Sequence, residues 1–425
     1  MYILFNLPPR KLVQDCGTVD DFHDLCTCRR GQRSLQNMLT CFEIFLPLVR
    51  GAPLTLIEEL AHDFCRRQWE QHVVYTEVRY NPHLMMKDKH SKASGSFDMG
   101  DADEPEGSEV TKQEERKQAA RDIVQAVMRG LRRGCQEYDI VVNQILCAIN
   151  WRPDWAMDVL ELAQEFKDEH PCGVVGIDIA AGEEHFDERQ FPHLYKRHFE
   201  IMQKAQDLNI PISIHAGETP DGIHNVKRAV ATKNHKEPGY GAKRIGHGYR
   251  MADSFELMEQ LAKDKIHVEI CPTSSVETGG WMFDHLDYDF DGSATSIGVG
   301  TDHSVSSVNK DITSFKPRMK PWKDHPGMKM VRNGVSISLN SDDPAVFHTS
   351  LAWQYRIALA KMGLTKEQVA QSNIDAIVAS FGPPDEKKRL KALLEDFYAS
   401  LSRGDMNNNG LSDTKRFSDR VRGIR

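Results

Sequence analysis

An alternation of short strand-like runs with helical patterns limits what this chain can fold into. Seven runs lie at 73–78, 140–149, 174–179, 210–215, 244–248, 266–271 and 335–340, all rich in apolar or β-branched residues except the polar run at 244–248. Runs of that length read as strands buried on both faces. Helical patterns at 111–133, 154–169, 191–208, 224–232 and 253–263 separate them. Regular strand–helix alternation implies right-handed crossovers and a parallel sheet. Four runs end in ionisable residues: His215 with Glu218, His247, Glu269 with Cys271, and Asp342 with Asp343. Such groups at strand C-terminal ends mark the α/β class as a TIM (β/α)8 barrel. A barrel of this type needs eight strands, and the first is not apparent. Helical patterns at 351–362, 365–380 and 386–401 form a C-terminal block.

The 425 residues suit one large barrel with insertions. Residues 1–34 form an atypical N-terminal segment, 35–403 the barrel domain and 404–425 a flexible tail. Two stretches look inserted. Residues 87–109 are rich in Ser, Gly, Asp and Glu without apolar periodicity, and 283–323 exceed what a compact crossover needs. The apolar residues Leu39, Phe42, Phe45 and Leu46 stand at helical spacing and suit either core or a hydrophobic lip over a pocket.

A net charge of −8 argues against nucleic acid or a membrane surface as partner, because phosphate binding needs a basic face. Nine scattered cysteines, several within apolar runs, are expected as reduced thiols. The N-terminus shows no basic region and no cleavage pattern. A cytoplasmic location is therefore expected.

In Ser213-Ile-His-Ala-Gly-Glu218 an imidazole closes an apolar strand, and neutral imidazole is a common zinc ligand. Glu218, after a small turn, can sit beside the same centre as a proton shuttle. The bland alternative is a buried, hydrogen-bonded histidine and a solvated glutamate. Glycines flank His247, so backbone and ring can approach a ligand closely. Adjacent carboxylates at Asp342 and Asp343 repel unless a cation or a donor compensates one. Either could instead cap a helix begun by Pro344. Cys271 has no evident basic partner and is expected to be structural.

Five strings, Val74-Tyr-Thr-Glu-Val-Arg-Tyr-Asn-Pro-His83, His215-Ala-Gly-Glu218, Gly246-His-Gly248, Glu269-Ile-Cys-Pro-Thr-Ser-Ser275 and Ser338-Leu-Asn-Ser-Asp-Asp-Pro344, occur in this order. On these the chain resembles the adenosine deaminase family of metal-dependent amidohydrolases. The resemblance implies zinc-dependent hydrolysis of adenosine or 2′-deoxyadenosine to inosine or 2′-deoxyinosine and ammonia. It implies His215 and Asp342 as zinc ligands and Glu218 as the group sharing a proton with purine N1. His247 would orient the attacking oxygen, Asp343 would bond N7, and a backbone N–H near Gly182 would meet N3. Family members begin with a strand ending in His-x-His that supplies two further ligands, and no His-x-His occurs in this sequence. The alternatives are a truncated, inactive form that binds purine nucleoside or protein, and a nucleotide deaminase.

Overall fold

The computed structural model describes residues 18–28, 33–87, 109–186, 188–232, 234–281 and 320–403. The tail and the bulk of both inserted loops lie outside these residues. Three helices come first: α1 (Val19–Leu25), α2 (Leu35–Val49) and α3 (Leu54–Glu70). The alternating part is β1 (Tyr75–Tyr80), α4 (Glu109–Tyr138), β2 (Val141–Ile149), α5 (Ala156–Phe166), β3 (Val174–Ala180), α6 (Pro192–Asp207), β4 (Ser213–Ala216), α7 (Ile223–Val230), β5 (Arg244–His247), α8 (Phe255–Lys263), β6 (His267–Ile270), α9 (Pro272–Glu277), α10 (Pro326–Arg332) and β7 (Ser336–Leu339). The last described helices are α11 (Leu351–Ile357), α12 (Lys366–Ala379) and α13 (Pro384–Ser402).

Every strand pairs in parallel with its neighbour in sequence, in one sheet β1-β2-β3 and another β4-β5-β6-β7. A bridge between Ile177 and Ile212 connects them. This is barrel order. Among the described residues no strand pairs with the outer edge of β1 or of β7, so the barrel is not closed. Contacts from the C-terminal helices span the interval instead. The Leu351 N–H donates to Gln71 Oε1 at 2.8 Å, and the Phe381 and Gly382 N–H groups donate to Glu77 Oε1 at 2.6 and 3.1 Å.

All seven expected runs are strands, with shifted ends where backbone chemistry intervenes. β4 starts at Ser213 because Pro211 has no N–H for a ladder. β1 starts at Tyr75, after the Val73 N–H has bonded back to the Gln68 carbonyl at 3.0 Å. Helix α3 was not anticipated, although Ile57, Leu60, Ala61, Phe64, Cys65 and Gln68 give it a buried stripe at helical spacing. It lies against α4, where a Cβ at Gly130 would collide with the Glu58 carbonyl oxygen.

The inner face of several strands is ionic rather than apolar, because side chains alternate across a strand. On β1, Val78 and Tyr80 join the outer core, while Arg79 reaches across the interior. Its guanidinium meets Asp178 on β3 at 2.9 Å, Ser213 on β4 at 3.0 Å and Glu269 on β6 at 2.6 Å. Arg244 on β5 pairs with Glu77 and, at 3.2 Å, with Glu269, and lies 3.9 Å over the Phe381 ring. Unpaired buried charges are costly, so each of these acts as the other's compensation.

Candidate active site at the barrel mouth

One cavity of about 690 Å³ extends through the barrel interior to the C-terminal ends of the strands, and Gly182, His215, Glu218, His247, Asp342 and Asp343 all line it. These are the six positions selected from sequence, and they come from the ends of β4, β5 and β7 and the loop after β3. Leu35, Met38, Leu39, Phe42 and Leu46 of α2 form part of its wall. Leu35, Met38 and Leu39 also pack with Cys28, Cys41, Val346 and Phe347. The apolar stretch on α2 is thus both core and lip.

His215 Nδ1 faces the Asp178 carboxylate at 3.2 Å, which leaves Nε2 for another partner. A carboxylate behind an imidazole in this way fixes ring and tautomer, as it does behind metal-binding histidines. Burial pushes the His215 pKa down, but Asp178 outweighs it and raises the value to about 9. Asp178 itself is held below the usual carboxylate range: burial opposes this, and His215 and Arg79 prevail.

The His247 ring lies 5.2 Å from that of His215, centroid to centroid. Its Nε2 is 3.5 Å from Glu218 Oε2, and its Nδ1 is 3.3 Å from the Tyr249 hydroxyl. That hydroxyl donates its one proton to the Cys271 carbonyl at 3.0 Å. It therefore accepts from His247 Nδ1–H, which in a neutral ring leaves the lone pair on Nε2. Gly246 lets this arrangement form, since a Cβ there would press on the His215 ring at 3.2 Å. Three side chains around the mouth stand on left-handed backbone: Ala181 (φ 63°), His247 (φ 69°) and Asp342 (φ 58°). Such strain in non-glycine residues gathers where geometry is dictated by function.

Glu218 is buried, and burial pushes its carboxyl above the ordinary range; His247 opposes this, while Asp342 and Glu183 add to it. Its position is set by Glu183, which sequence reading missed. The Glu183 carboxylate accepts from the N–H groups of Gly217, Glu218 (2.8 Å) and Thr219 (2.6 Å), and from the Thr219 hydroxyl and the Asn225 amide. Asp178 was also passed over, although a lone carboxylate inside the apolar run of β3 was a visible signal. Gly182 (φ 60°) has no room for a side chain, because a Cβ would meet the Trp151 ring at 2.6 Å.

The Asp343 carboxyl is raised, first by burial and then by its neighbour Asp342. Neither aspartate caps a helix: the residues after them form turns, and Ser350 caps α11. Cys271 is buried at the same opening, with its Sγ within 4.8 Å of ligand atoms of both His247 and Asp342. Imidazoles, a thiol and carboxylates at one opening form a donor set suited to a zinc ion.

The sequence profile of the adenosine deaminase family matches residues 16–286 and 316–397. This chain belongs to the adenosine deaminase family. It is 28% identical to adenosine deaminase of Bos taurus over 369 residues, covering 87% of this chain and 82% of that protein. In fold it is similar to a zinc-bound amidohydrolase from Burkholderia ambifaria (16% identity, TM-score 0.56, 90% of this chain and 80% of that one). It is also similar to the N6-methyl-AMP deaminase of Arabidopsis thaliana (22% identity, TM-score 0.58, 91% and 90%). The family is one of metal-dependent hydrolases. Among the described residues no helix is long and apolar enough to cross a membrane.

Proposed function

We propose that this chain hydrolyses the 6-amino group of adenosine or 2′-deoxyadenosine, releasing ammonia and the 6-oxo nucleoside. The observation that carries this is the convergence of Glu218, His247 and the Asp342–Asp343 pair on one cavity. A zinc ion held by Asp342 with His215 would act as a Lewis acid and make water nucleophilic at neutral pH.

The chain's own groups supply the rest. Glu218, with its raised pKa, retains a proton to share with purine N1, and protonating N1 draws electron density from C6. His247, with its lone pair on Nε2, accepts a hydrogen bond from the attacking water and orients it. Asp343, with its raised carboxyl, can donate to N7, and a backbone N–H near Gly182 can bond N3. The apolar wall of α2 excludes bulk water from the base.

The unclosed barrel favours a second reading, in which the chain binds a purine nucleoside without turnover. Metal content and inosine formation on the purified full-length chain separate the two. Inosine formation dependent on added zinc supports deamination; a folded, nucleoside-binding sample that forms none rejects it. Running adenosine against AMP in the same assay tests a nucleotide substrate.

A further inference from the structure

We infer that Glu183 is a positioning residue that couples two contacts to the base, holding the Glu218 carboxyl and the Gly182 N–H at one fixed separation. This rests on reading the mouth as a purine nucleoside site, in which those two groups meet N1 and N3. It adds a role for a side chain whose carboxylate is occupied by the protein's own donors.

Glu183 opens the short 3-10 helix after β3 (Glu183–Phe186) and is buried. Both of its carboxylate oxygens are in use. Oε1 accepts from the Gly217 N–H and, at 3.1 Å, from the Asn225 amide. Oε2 accepts from the N–H groups of Glu218 at 2.8 Å and Thr219 at 2.6 Å, and from the Thr219 hydroxyl at 2.9 Å. A carboxylate offers about four lone-pair sites, so these donors leave none for a ligand. Three successive N–H groups turned to one anion form a nest, which fixes the backbone on both sides of Glu218. Glycines make the room: a Cβ at Gly222 would stand 2.6 Å from Glu183 Oε1, and Gly217 adopts φ 78°.

Glu183 also follows Gly182 directly. The Ala181 carbonyl accepts from the Asn150 amide at 2.8 Å. A trans peptide is planar with its C=O and N–H opposed, so this bond turns the Gly182 N–H the other way. The Gly182 carbonyl accepts from the His185 N–H at 2.9 Å, which fixes the next peptide as well. Gly182 and Glu183 therefore move as one piece, and the Glu183 carboxylate passes the position of that piece to Glu218. In a purine, N1 and N3 flank C2 on one ring, so a shift of either loop alone breaks one contact while the other is kept. A displacement of about 1 Å at such a site costs on the order of 10²-fold.

Nucleosides that lack one ring nitrogen read this coupling without any turnover. Calorimetry on the full-length chain, unmutated and as Glu183→Gln, compares adenosine with its 1-deaza, 3-deaza and 7-deaza forms. The Gln amide keeps the shape but turns a donor toward N–H groups that need an acceptor. The affinity lost on removing N1 and that lost on removing N3 should both shrink by at least about threefold in Glu183→Gln. The loss on removing N7, which reports Asp343 after β7, should stay unchanged. Asn225→Ala and Thr219→Val remove one donor each and should give the same pattern in smaller measure, whether or not Glu183→Gln folds. Three unchanged losses, an altered N1 or N3 loss without the other, or an equal change in all three would each overturn the coupling. Coupling without inosine formation by the unmutated chain would leave this role of Glu183 standing and reject deamination; inosine formation without coupling would do the reverse. A chain that binds no adenosine would overturn both.

Discussion

At the scale of single residues, the groups proposed to react at the mouth are distinct from those that hold them in place. Glu218 is buried beside His247 with a raised pKa, the state a proton donor to a purine ring nitrogen needs. Glu218→Gln keeps the shape and removes the proton transfer, so kcat should fall by about 10²–10⁴-fold with substrate binding retained. A loss confined to KM in steady-state kinetics would contradict that role. Arg79 supports the site from beneath by pairing with Asp178 and Glu269. Arg79→Met leaves two carboxylates short of a cation inside the barrel and should destabilise the fold by about 3–5 kcal/mol in urea unfolding. The residues proposed to react were legible because each lies at or just after the end of a strand-like run. The holding residues were less so: Glu183 opens a short 3-10 helix (Glu183–Phe186), and its five donors come from residues 217–225, which only folding brings to it.

At the scale of elements, all strands but the polar β5 follow from runs of apolar and β-branched residues, and their order follows from the crossovers. Their inner faces do not, since whether Arg79 or Arg244 faces water or another strand depends on curvature around the interior. Helix α3 shows an amphipathic stripe that could have been read, and its packing on α4 depends on close approach at Gly130. Gly130→Ala forces the two backbones apart and should cost about 1–3 kcal/mol. Chemical denaturation with unchanged far-ultraviolet circular dichroism would check it. A neutral result would mean that the helices separate freely. The segment just after α1 meets the loop after β7, with the Cys28 N–H donating to the Val346 carbonyl at 2.8 Å. No local pattern in either segment announces that meeting.

At the scale of the whole molecule, buried ionisable groups set how the fold responds to pH. His267 and His325 are buried, and burial pushes both imidazoles down to about 3. In the unfolded chain each titrates near ~6.5. Between those values the unfolded chain takes up protons that the fold refuses. Stability is therefore intact above about pH 6.5 and falls on acidification, by about 1.4 kcal/mol per pH unit for each histidine. Against the push of burial, Arg79 and Arg244 hold Glu269 down to about 2, which adds a further loss below about pH 4.3. His215 has the opposite sign, because its raised pKa contributes stability that is full below about 6.5 and lost as pH rises through about 9. The metal-free chain should thus be most stable near pH 6.5. Urea midpoints measured from pH 4.5 to 9 test this, and a monotonic rise across that range would contradict it.

The sequence by itself determined the α/β alternation, the parallel order of the strands and the ionisable residues that end them, because hydrophobic periodicity and strand-end position are local properties. Only the tertiary structure decided that β1 and β7 meet no eighth strand among the described residues, and that charges cross the barrel interior. It also decided that Cys271 stands with His247 and Asp342, not apart from them. Those outcomes depend on distances between residues far apart along the chain, and such distances are set when the sheet curves and the helices pack around it.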